Sequence, residues 1–512
     1  MEVRSLMAQA VRYHAHRTAI VHGSRRLRFD EAWRRGVRLA NGLLAAGLRP
    51  GDRVAVLEDN CVEASDLFQA CAIANLVRVP LYARNSTDAH RHMMEHTGCK
   101  AAVVSARYAP EIASIRTALP ELREVLVRDA AYEDWLASHS AAEPEVAIRP
   151  EDLFIIRHTG GTTGQAKAVA YSHRSWLAAG RDWFYIFPQV VAGDSCLHVG
   201  PISHGSGYQY LPVWLAGGCN VMAERFDAGE VLDLIERERI AYCQMVGTML
   251  RALAEHPTAA RRDFSSLKCV LIGAAPVHEA TALAGHRLLG DVLYQGYGQT
   301  EVLPIAFMGP KQWFGHAEGS NPLRACGMVM PFSQVQIWDE GNRRLPVGEI
   351  GEIVARCDGQ MTGFWNDPAS SAERIVDGWI KTGDIGRIDR NGYVYLIDRA
   401  SDVIISGGYN IWPSEIEQVI ARHPDVIEVA VFGVPHPKWG ESPVAHCMVR
   451  AGSAPDEAGL IETVGAEIGS YKKPSKIVFQ SDPLPRSPVG KIMRKRLREP
   501  YWSGIERRIA GG

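Results

Sequence analysis

Short runs of β-branched and aliphatic residues alternate with amphipathic stretches through the first 400 residues. Arg53–Leu57 (RVAVL) predicts a strand, and Glu63–Ala74 predicts the helix after it. Ala101–Val104, Leu153–Ile156, Cys269–Ile272 and Val292–Tyr294 predict further buried strands, most of them ending in glycine-rich turns. Such alternation predicts an α/β architecture with largely parallel sheets, whose ligand loops fall at the carboxyl ends of the strands.

Between residues 335 and 400 the texture becomes β-rich, with Val335–Trp338, Ile350–Ala355 and Tyr393–Ile397 as strands and Asn391-Gly392 in a turn. Past residue 400 the pattern predicts a compact α+β unit: a helix over Ser414–His423 opened by Pro413, strands at Glu428–Gly433 and Ala445–Arg450, a helix near Leu460–Ile468 and a strand at Lys476–Phe479. The expected division is therefore residues 1–399, a core of α/β layered subdomains with a β-rich part, and residues 400–512, a small C-terminal α+β domain.

The 56 basic and 58 acidic residues leave a formal charge of −2, which argues against nucleic acid or an anionic membrane surface as the main partner. Hydrophobic content of 46% and charged content of 22% are ordinary globular values and exclude wholesale disorder. The opening segment MEVRSLMAQAVRYHAHRTAIVHG has neither a continuous apolar region nor a small-residue cleavage pattern, so no signal peptide is expected. No apolar run reaches the roughly 18 residues of a membrane helix. The 10 cysteines are scattered with no CxxC pair, which predicts reduced thiols in a cytoplasmic protein rather than a zinc or redox site.

Candidate chemistry begins at Thr159-Gly160-Gly161-Thr162-Thr163-Gly164-Gln165-Ala166-Lys167, directly after the strand-forming run. The glycines let backbone approach an anion closely, the threonine hydroxyls and N–H groups donate to phosphate oxygens, and Lys167 adds positive charge. The GK[ST] ending of a Walker A loop is missing. Taken alone, the segment also suits a surface hairpin. Four further segments follow: Tyr297-Gly298-Gln299-Thr300-Glu301, preceded by Gly273-Ala274-Ala275-Pro276; Thr382-Gly383-Asp384 with Asp398-Arg399; the run SGGYNIWPSEIE from Ser406 to Glu417; and PRSPVGKI from Pro485 to Ile492. Singly, these read as strand-end turns, a surface ion pair and a hairpin before a helix. The basic cluster Arg494, Lys495, Arg496 and Arg498 lacks the interleaved aromatics of a nucleic-acid patch.

In this order and spacing the segments resemble the acyl-adenylate-forming superfamily, which includes acyl-CoA synthetases, adenylation domains and luciferases, over about residues 10–500. The chain departs from the family loop pattern [ST]SG[TS]TGxPKGV at Gly160, Ala166 and Ala168. The resemblance implies that Thr159, Gly161, Thr162 and Gly164 hold phosphate, with Thr163 and Lys167 serving the chemistry. Gly273, Ala274, Ala275 and Pro276 would pack on one face of adenine and Tyr297 on the other, with Gly298 in the same turn. Thr300 would meet the α-phosphate, Glu301 would hold Mg2+, Asp384 the ribose, and Arg399 ribose or phosphate. Lys491 would reach the active site from a mobile C-terminal domain hinged at Ser401, where the family commonly has Asp or Lys. Gly407, Gly408 and Tyr409 would line the pantetheine channel.

The resemblance places His204, Ser206, Gly207 and Tyr208 beside the acyl chain, with Met245, Gly247 and Leu303 further along. His204 suits a satisfied core histidine equally well. No Arg or Lys is evident among them to pair a second carboxylate, which favours a medium-size monocarboxylic acid, aliphatic, alicyclic or aromatic. The implied function is an AMP-forming carboxylate–CoA ligase using ATP, Mg2+ and coenzyme A on a small-molecule carboxylate, with no nucleic acid or membrane partner and a homodimer allowed. The alternatives are transfer of the activated group to a carrier protein or an amine (nitrite activation included), and a silent nucleotide-binding regulator.

Overall fold

Strands that are apolar at nearly every position must be covered on both faces, and the sequence supplies helices between them to do it. The computed structural model describes residues 1–159, 167–275, 277–399, 402–407, 409–486 and 492–503, with the backbone alone for Trp183, Arg399 and Asn410. These residues form two units of a mixed α/β fold. The larger takes in the described residues of Met1–Gly161, Gln165–Val335 and Ala355–Ile380, and the smaller those of Gln336–Val354 and Lys381–Gly512.

The larger unit contains two sheets. One has seven strands in the order Gly363–Phe364, Ala168–Ser172, Leu153–His158, Val77–Pro80, Arg53–Leu57, Ala101–Ser105 and Glu124–Arg128. The last five are mutually parallel, whereas Leu153–His158 runs antiparallel to Ala168–Ser172. In the other, Leu293–Tyr297, Cys269–Gly273, Ile240–Met245, Ser195–His198, Cys219–Met222 and Thr18–His22 lie parallel in that order. The helix Ala64–Ala74 is buried at every position, its polar residues Ser65, Asp66 and Gln69 included, and the Asp66 carboxylate accepts from Arg35 at 2.8 Å. Thr87–Thr97 is a surface-type helix, capped by the Ser86 side chain and ended by Gly98 at φ +61°.

Predicted elements appear with shifted ends. The run read as Val292–Tyr294 continues as a strand to Tyr297, because Gly296 lets the Phe307 ring of the neighbouring strand lie where a Cβ would stand. None of the ten cysteines is in a disulfide, and eight of them are buried. Among the described residues no helix is long and apolar enough to cross a membrane.

The smaller unit pairs Val426–His436 with Gly440–Val449 as a long antiparallel hairpin, and the free edge of Gly440–Val449 takes Ile404–Ser406, followed by Tyr409–Ile411, at its Gly440 end and Lys476–Gln480, in parallel, farther along. The helices Pro413–Ile420 and Glu457–Ile468 cover it through Ile416, Val419, Ile420, Leu460 and Val464. Trp379–Ile388 and Tyr393–Arg399 form a second hairpin, turned at Gly392 with φ +84°.

Candidate active site

The segment holding Thr159 and Lys167 connects two antiparallel strands, so its phosphate donors would come from the loop itself and not from a helix N-terminus. Its base is closed by Thr159 N–H donating to the Lys167 carbonyl at 2.9 Å. The exposed Lys167 ammonium donates to Ser370 Oγ at 2.9 Å and lies 5.0 Å from the Phe364 ring centre. Gly161, Thr162, Thr163 and Gly164 lie outside the described residues, as do Pro276, Ser401, Gly408 and Lys491.

Four residues beyond Lys167, the Tyr171 hydroxyl donates to the backbone carbonyl of Thr300. That bond joins the strand leaving the loop to the Tyr297–Glu301 segment, 129 residues away. Tyr297 ends its strand and is buried. A Cβ on Gly298 would stand 2.1 Å from Leu303 Cδ1, so a larger residue there would have to displace that side chain. Opposite, Gly273 sits in register with Gly296, and a Cβ on it would stand 2.9 Å from the Gly296 oxygen. Ala274 follows at φ +68°, a left-handed conformation an L-residue adopts at a cost of order 1–3 kcal/mol, of the kind concentrated at ligand sites.

The Glu301 side chain is nearly buried, and its backbone carbonyl accepts from Met361 N–H at 2.8 Å. Arg374, from the helix Pro368–Arg374, places Nη2 3.6 Å from the Glu301 carboxylate and donates to Gln299 Oε1 at 3.0 Å. No motif announces Arg374. Among the described residues no group of three His, Cys, Asp or Glu is gathered as a metal cage. One hard carboxylate oxygen donor fits Mg2+ that arrives with phosphate oxygens as its other ligands. Bound there, Mg2+ would neutralise charge on the phosphoryl oxygens.

The expected acyl-site residues separate into two kinds. Ser206 is buried, with Oγ 2.7 Å from His198 Nδ1, and His198 Nε2 reaches Asn220 Oδ1 at 2.7 Å. Gly207 opens the helix Gly207–Leu215, where a Cβ would strike the Ile202 carbonyl. Both positions hold the turn that carries His204. Met245 ends a strand and is buried, Gly247 opens the helix Gly247–Ala254, and Leu303 is buried beneath Gly298. His204 is half-buried, its ring edge-on to Tyr82 at 5.2 Å, and Tyr208 stacks on Trp176 at 4.9 Å. None of these residues is Arg or Lys, but an arginine that the sequence reading did not single out stands beside two of them. Arg157, fully buried on the strand before the loop, lies 4.7 Å from the Tyr208 ring centre and 3.3 Å from His204 Nδ1. Only the fold brings these residues together, 47 positions apart for Arg157 and His204.

In the smaller unit Asp384 is buried opposite Arg399 in the hairpin register. The turn before it is fixed by Thr382 Oγ1 donating to the Ile353 carbonyl at 2.6 Å, and by Gly383 N–H, at φ +68°, donating to Glu352 at 2.9 Å. Asp398 accepts from Ser414 N–H at 3.0 Å, at the start of the helix Pro413–Ile420. Gly407 has φ +57°, and its N–H donates to the Trp439 carbonyl at 2.8 Å. Tyr409 is exposed beside Tyr471, with ring centres 5.2 Å apart. Both flanks of residues 487–491 are pinned: Arg486 bridges Ile492 and pairs with Glu428, Met493 N–H donates to Pro485 at 2.7 Å, and Arg494 binds Glu417 at 2.7 Å. Arg494 is thus an internal anchor and does not belong to a free basic patch.

Residues 7–365 match the AMP-binding enzyme family, and residues 415–491 match the AMP-binding enzyme C-terminal domain. The chain is 33% identical to a feruloyl-CoA synthase of Amycolatopsis sp over 490 residues, covering 95% of this chain and 96% of that one. It is 31% identical to the fatty acid–[acyl-carrier-protein] ligase ScoC of Streptomyces coeruleorubidus, with 98% of each covered. Its structure superposes on ATP-bound MatB from Rhodopseudomonas palustris with a TM-score of 0.89 and 28% identity, covering 98% of this chain and 99% of that one. The chain belongs to the acyl-adenylate-forming superfamily of AMP-binding enzymes, and is an ATP- and Mg2+-using acid–thiol ligase.

Proposed function

We propose that this enzyme is an AMP-forming carboxylate–CoA ligase acting on a medium-size monocarboxylic acid, aliphatic, alicyclic or aromatic. A carboxylate is a poor electrophile because its charge repels nucleophiles and oxide leaves badly. Its attack on the α-phosphorus of ATP gives a mixed anhydride with AMP as the leaving group, and pyrophosphate departs. The thiol of coenzyme A then takes the acyl group and releases AMP.

The observation that carries the reading is the Tyr171–Thr300 hydrogen bond, which brings the phosphate-type loop and the Thr300-Glu301 pair into one rigid neighbourhood. There the Thr159–Lys167 loop and Thr300 donate to the phosphoryl oxygens, while Glu301 holds the metal that ATP brings. Tyr297 and the Gly273–Pro276 turn flank adenine, Asp384 accepts the ribose hydroxyls and Arg399 adds a positive charge. The C-terminal domain, beginning near residue 400 and hinged at Ser401, delivers Lys491 for adenylation and then the Gly407-Gly408 turn for the thiol step. His204, Tyr208, Met245, Gly247 and Leu303 border the acid. The enzyme works in the cytosol on a small-molecule carboxylate.

The test is ATP–pyrophosphate exchange over a panel of carboxylic acids, followed by CoA consumption with each acid that supports exchange. Exchange with thioester formation is the expected result. Exchange without CoA use by any acid would transfer the function to a carrier-protein acceptor, the reading that similarity to ScoC favours. No exchange with any acid would overturn acid activation altogether.

A further inference from the structure

Gln244 stands one residue before the end of the strand Ile240–Met245, next to Met245. In an α/β sheet the carboxyl ends of parallel strands are where ligands are received. Gln244 lies in register with Leu271, and Leu271 with Tyr294. Residues in register share a face, as do residues two apart on one strand, so Tyr242, Gln244, Leu271 and Tyr294 project to the same side. Phe307 joins them there, opposite Gly296, and Phe187 packs against Tyr294 and Phe307 with ring centres 5.4 and 6.1 Å away. The Tyr242 hydroxyl donates to the Pro188 carbonyl at 2.7 Å. The turn that carries His204 reaches this face as well, since a Cβ on Gly205 would stand 3.3 Å from Gln244 Nε2.

On this apolar and aromatic wall the Gln244 amide is unspent. The residue is half-buried, and among the described residues Oε1 is sealed from solvent with no hydrogen-bond donor. A buried carbonyl oxygen left unbonded lowers stability, and native folds retain few of them. The terminal torsion of glutamine is broad and nearly two-fold, so a half-turn exchanges Oε1 and Nε2. The open end of the amide therefore offers a donor or an acceptor at little cost. A hydroxyl suits both, because it accepts from Nε2–H and donates to Oε1.

We propose that Gln244 is a specificity-determining residue: its amide hydrogen-bonds a hydroxyl on the acyl part of the acid, so that the preferred substrate is a hydroxylated monocarboxylic acid whose remaining surface is apolar. The proposal rests on the reading that Met245, Gly247 and the His204 turn border the acid.

ATP–pyrophosphate exchange with matched acids tests it in the full chain, as wild type, Gln244→Leu and Gln244→Met. The probes are benzoate, 3-phenylpropanoate, cyclohexanecarboxylate and octanoate, each against its ring- or chain-hydroxylated isomers. In the wild type kcat/KM should favour the hydroxylated member of at least one pair by about 10- to 100-fold, because the analogue without the hydroxyl leaves the amide unbonded. Gln244→Leu should bring that ratio to within about threefold of one, chiefly by raising KM for the hydroxylated acid, with KM for ATP held within about twofold. Leucine also removes an unbonded buried oxygen, so Tm should hold or rise by about 1–2 °C, which a residue serving the fold would not do. Gln244→Met, which keeps the length of glutamine without a branch, reads the same ratio should the leucine variant not fold. A wild type that prefers the unsubstituted member of every pair overturns the proposal, as does a ratio that survives both substitutions. A Tm several degrees lower in both variants would show that the amide is used within the fold, and overturns it too. Exchange with no acid at all would overturn the ligase reading and this proposal with it, whereas exchange confined to acids without a hydroxyl overturns this proposal alone.

Discussion

Arg374 Nη2 stands 3.6 Å from the carboxylate of Glu301, the residue assigned to the metal, while also holding Gln299 at 3.0 Å. A guanidinium in that place competes with any cation for the same oxygens. Arg374→Met is therefore expected to lower the Mg2+ concentration for half-maximal exchange several-fold, in line with the modest strength of partly exposed pairs. Glu301→Gln should raise it while leaving Tm almost unchanged. A higher Mg2+ requirement in Arg374→Met would show instead that the arginine serves the nucleotide directly.

Lys491→Ala should separate the two half-reactions. Loss of one preorganised donor typically costs about 10²–10³ in rate, so adenylation should fall by that much. Supplied with synthetic acyl-AMP, the variant should still form thioester near the wild-type rate. Equal loss in both halves would remove the assigned role.

Gly407 connects Ile404–Ser406 to the strand after it at φ +57°, where a Cβ would lie 2.9 Å from the Trp439 ring. Gly407→Ala should leave ATP–pyrophosphate exchange intact and slow thioester formation by about 100-fold, the usual cost of misplacing a reacting group by an ångström. The Gly408→Leu variant should show the same division. Normal CoA consumption by both variants would remove this turn from the thiol path.

Burial keeps three histidines of the larger unit neutral, with His158 pushed down to about 3 and His173 and His198 to about 4. In the unfolded chain each titrates near 6.5, so unfolding takes up protons only below that pH. Their contribution to stability is complete above about pH 6.5 and drains away as pH falls toward 4, at up to about 1.4 kcal/mol per pH unit for each. Calorimetry in buffers of different ionisation enthalpy should find Tm level from pH 8 to 7, falling below 6.5, with about two to three protons bound on unfolding near pH 5.5. A level Tm down to pH 4.5 would mean that these rings gain access to water in the folded state.

The strands of the larger unit were legible because Arg53–Leu57 and Cys269–Gly273 are continuous apolar runs, a pattern set by their covered faces. The nucleotide segments were legible because glycine, threonine and carboxylate are demanded at fixed spacing by an anion and a metal. Ser206 and Gly207, expected against the acid from their place in the motif, also hold the turn that carries His204, a task no local pattern announces. Arg157, Tyr171 and Arg374 were not legible. Each is one ordinary residue whose meaning comes from a partner 47, 129 or 75 positions away, and no local pattern encodes that distance.

The Tyr171–Thr300 bond also determines where this protein can be cut and recombined. A chimera that takes residues 159–167 from a relative, and keeps its own strand Ala168–Ser172, preserves the tie to residue 300. One joined between residues 172 and 300 takes the hydroxyl from one parent and the backbone carbonyl, which every residue has, from the other, so the tie needs tyrosine only in the parent that supplies residue 171. Substrate-exchange designs are therefore constrained by the phenol at residue 171, on the strand Ala168–Ser172, and are free at the side chain of residue 300, whose part in the tie is backbone.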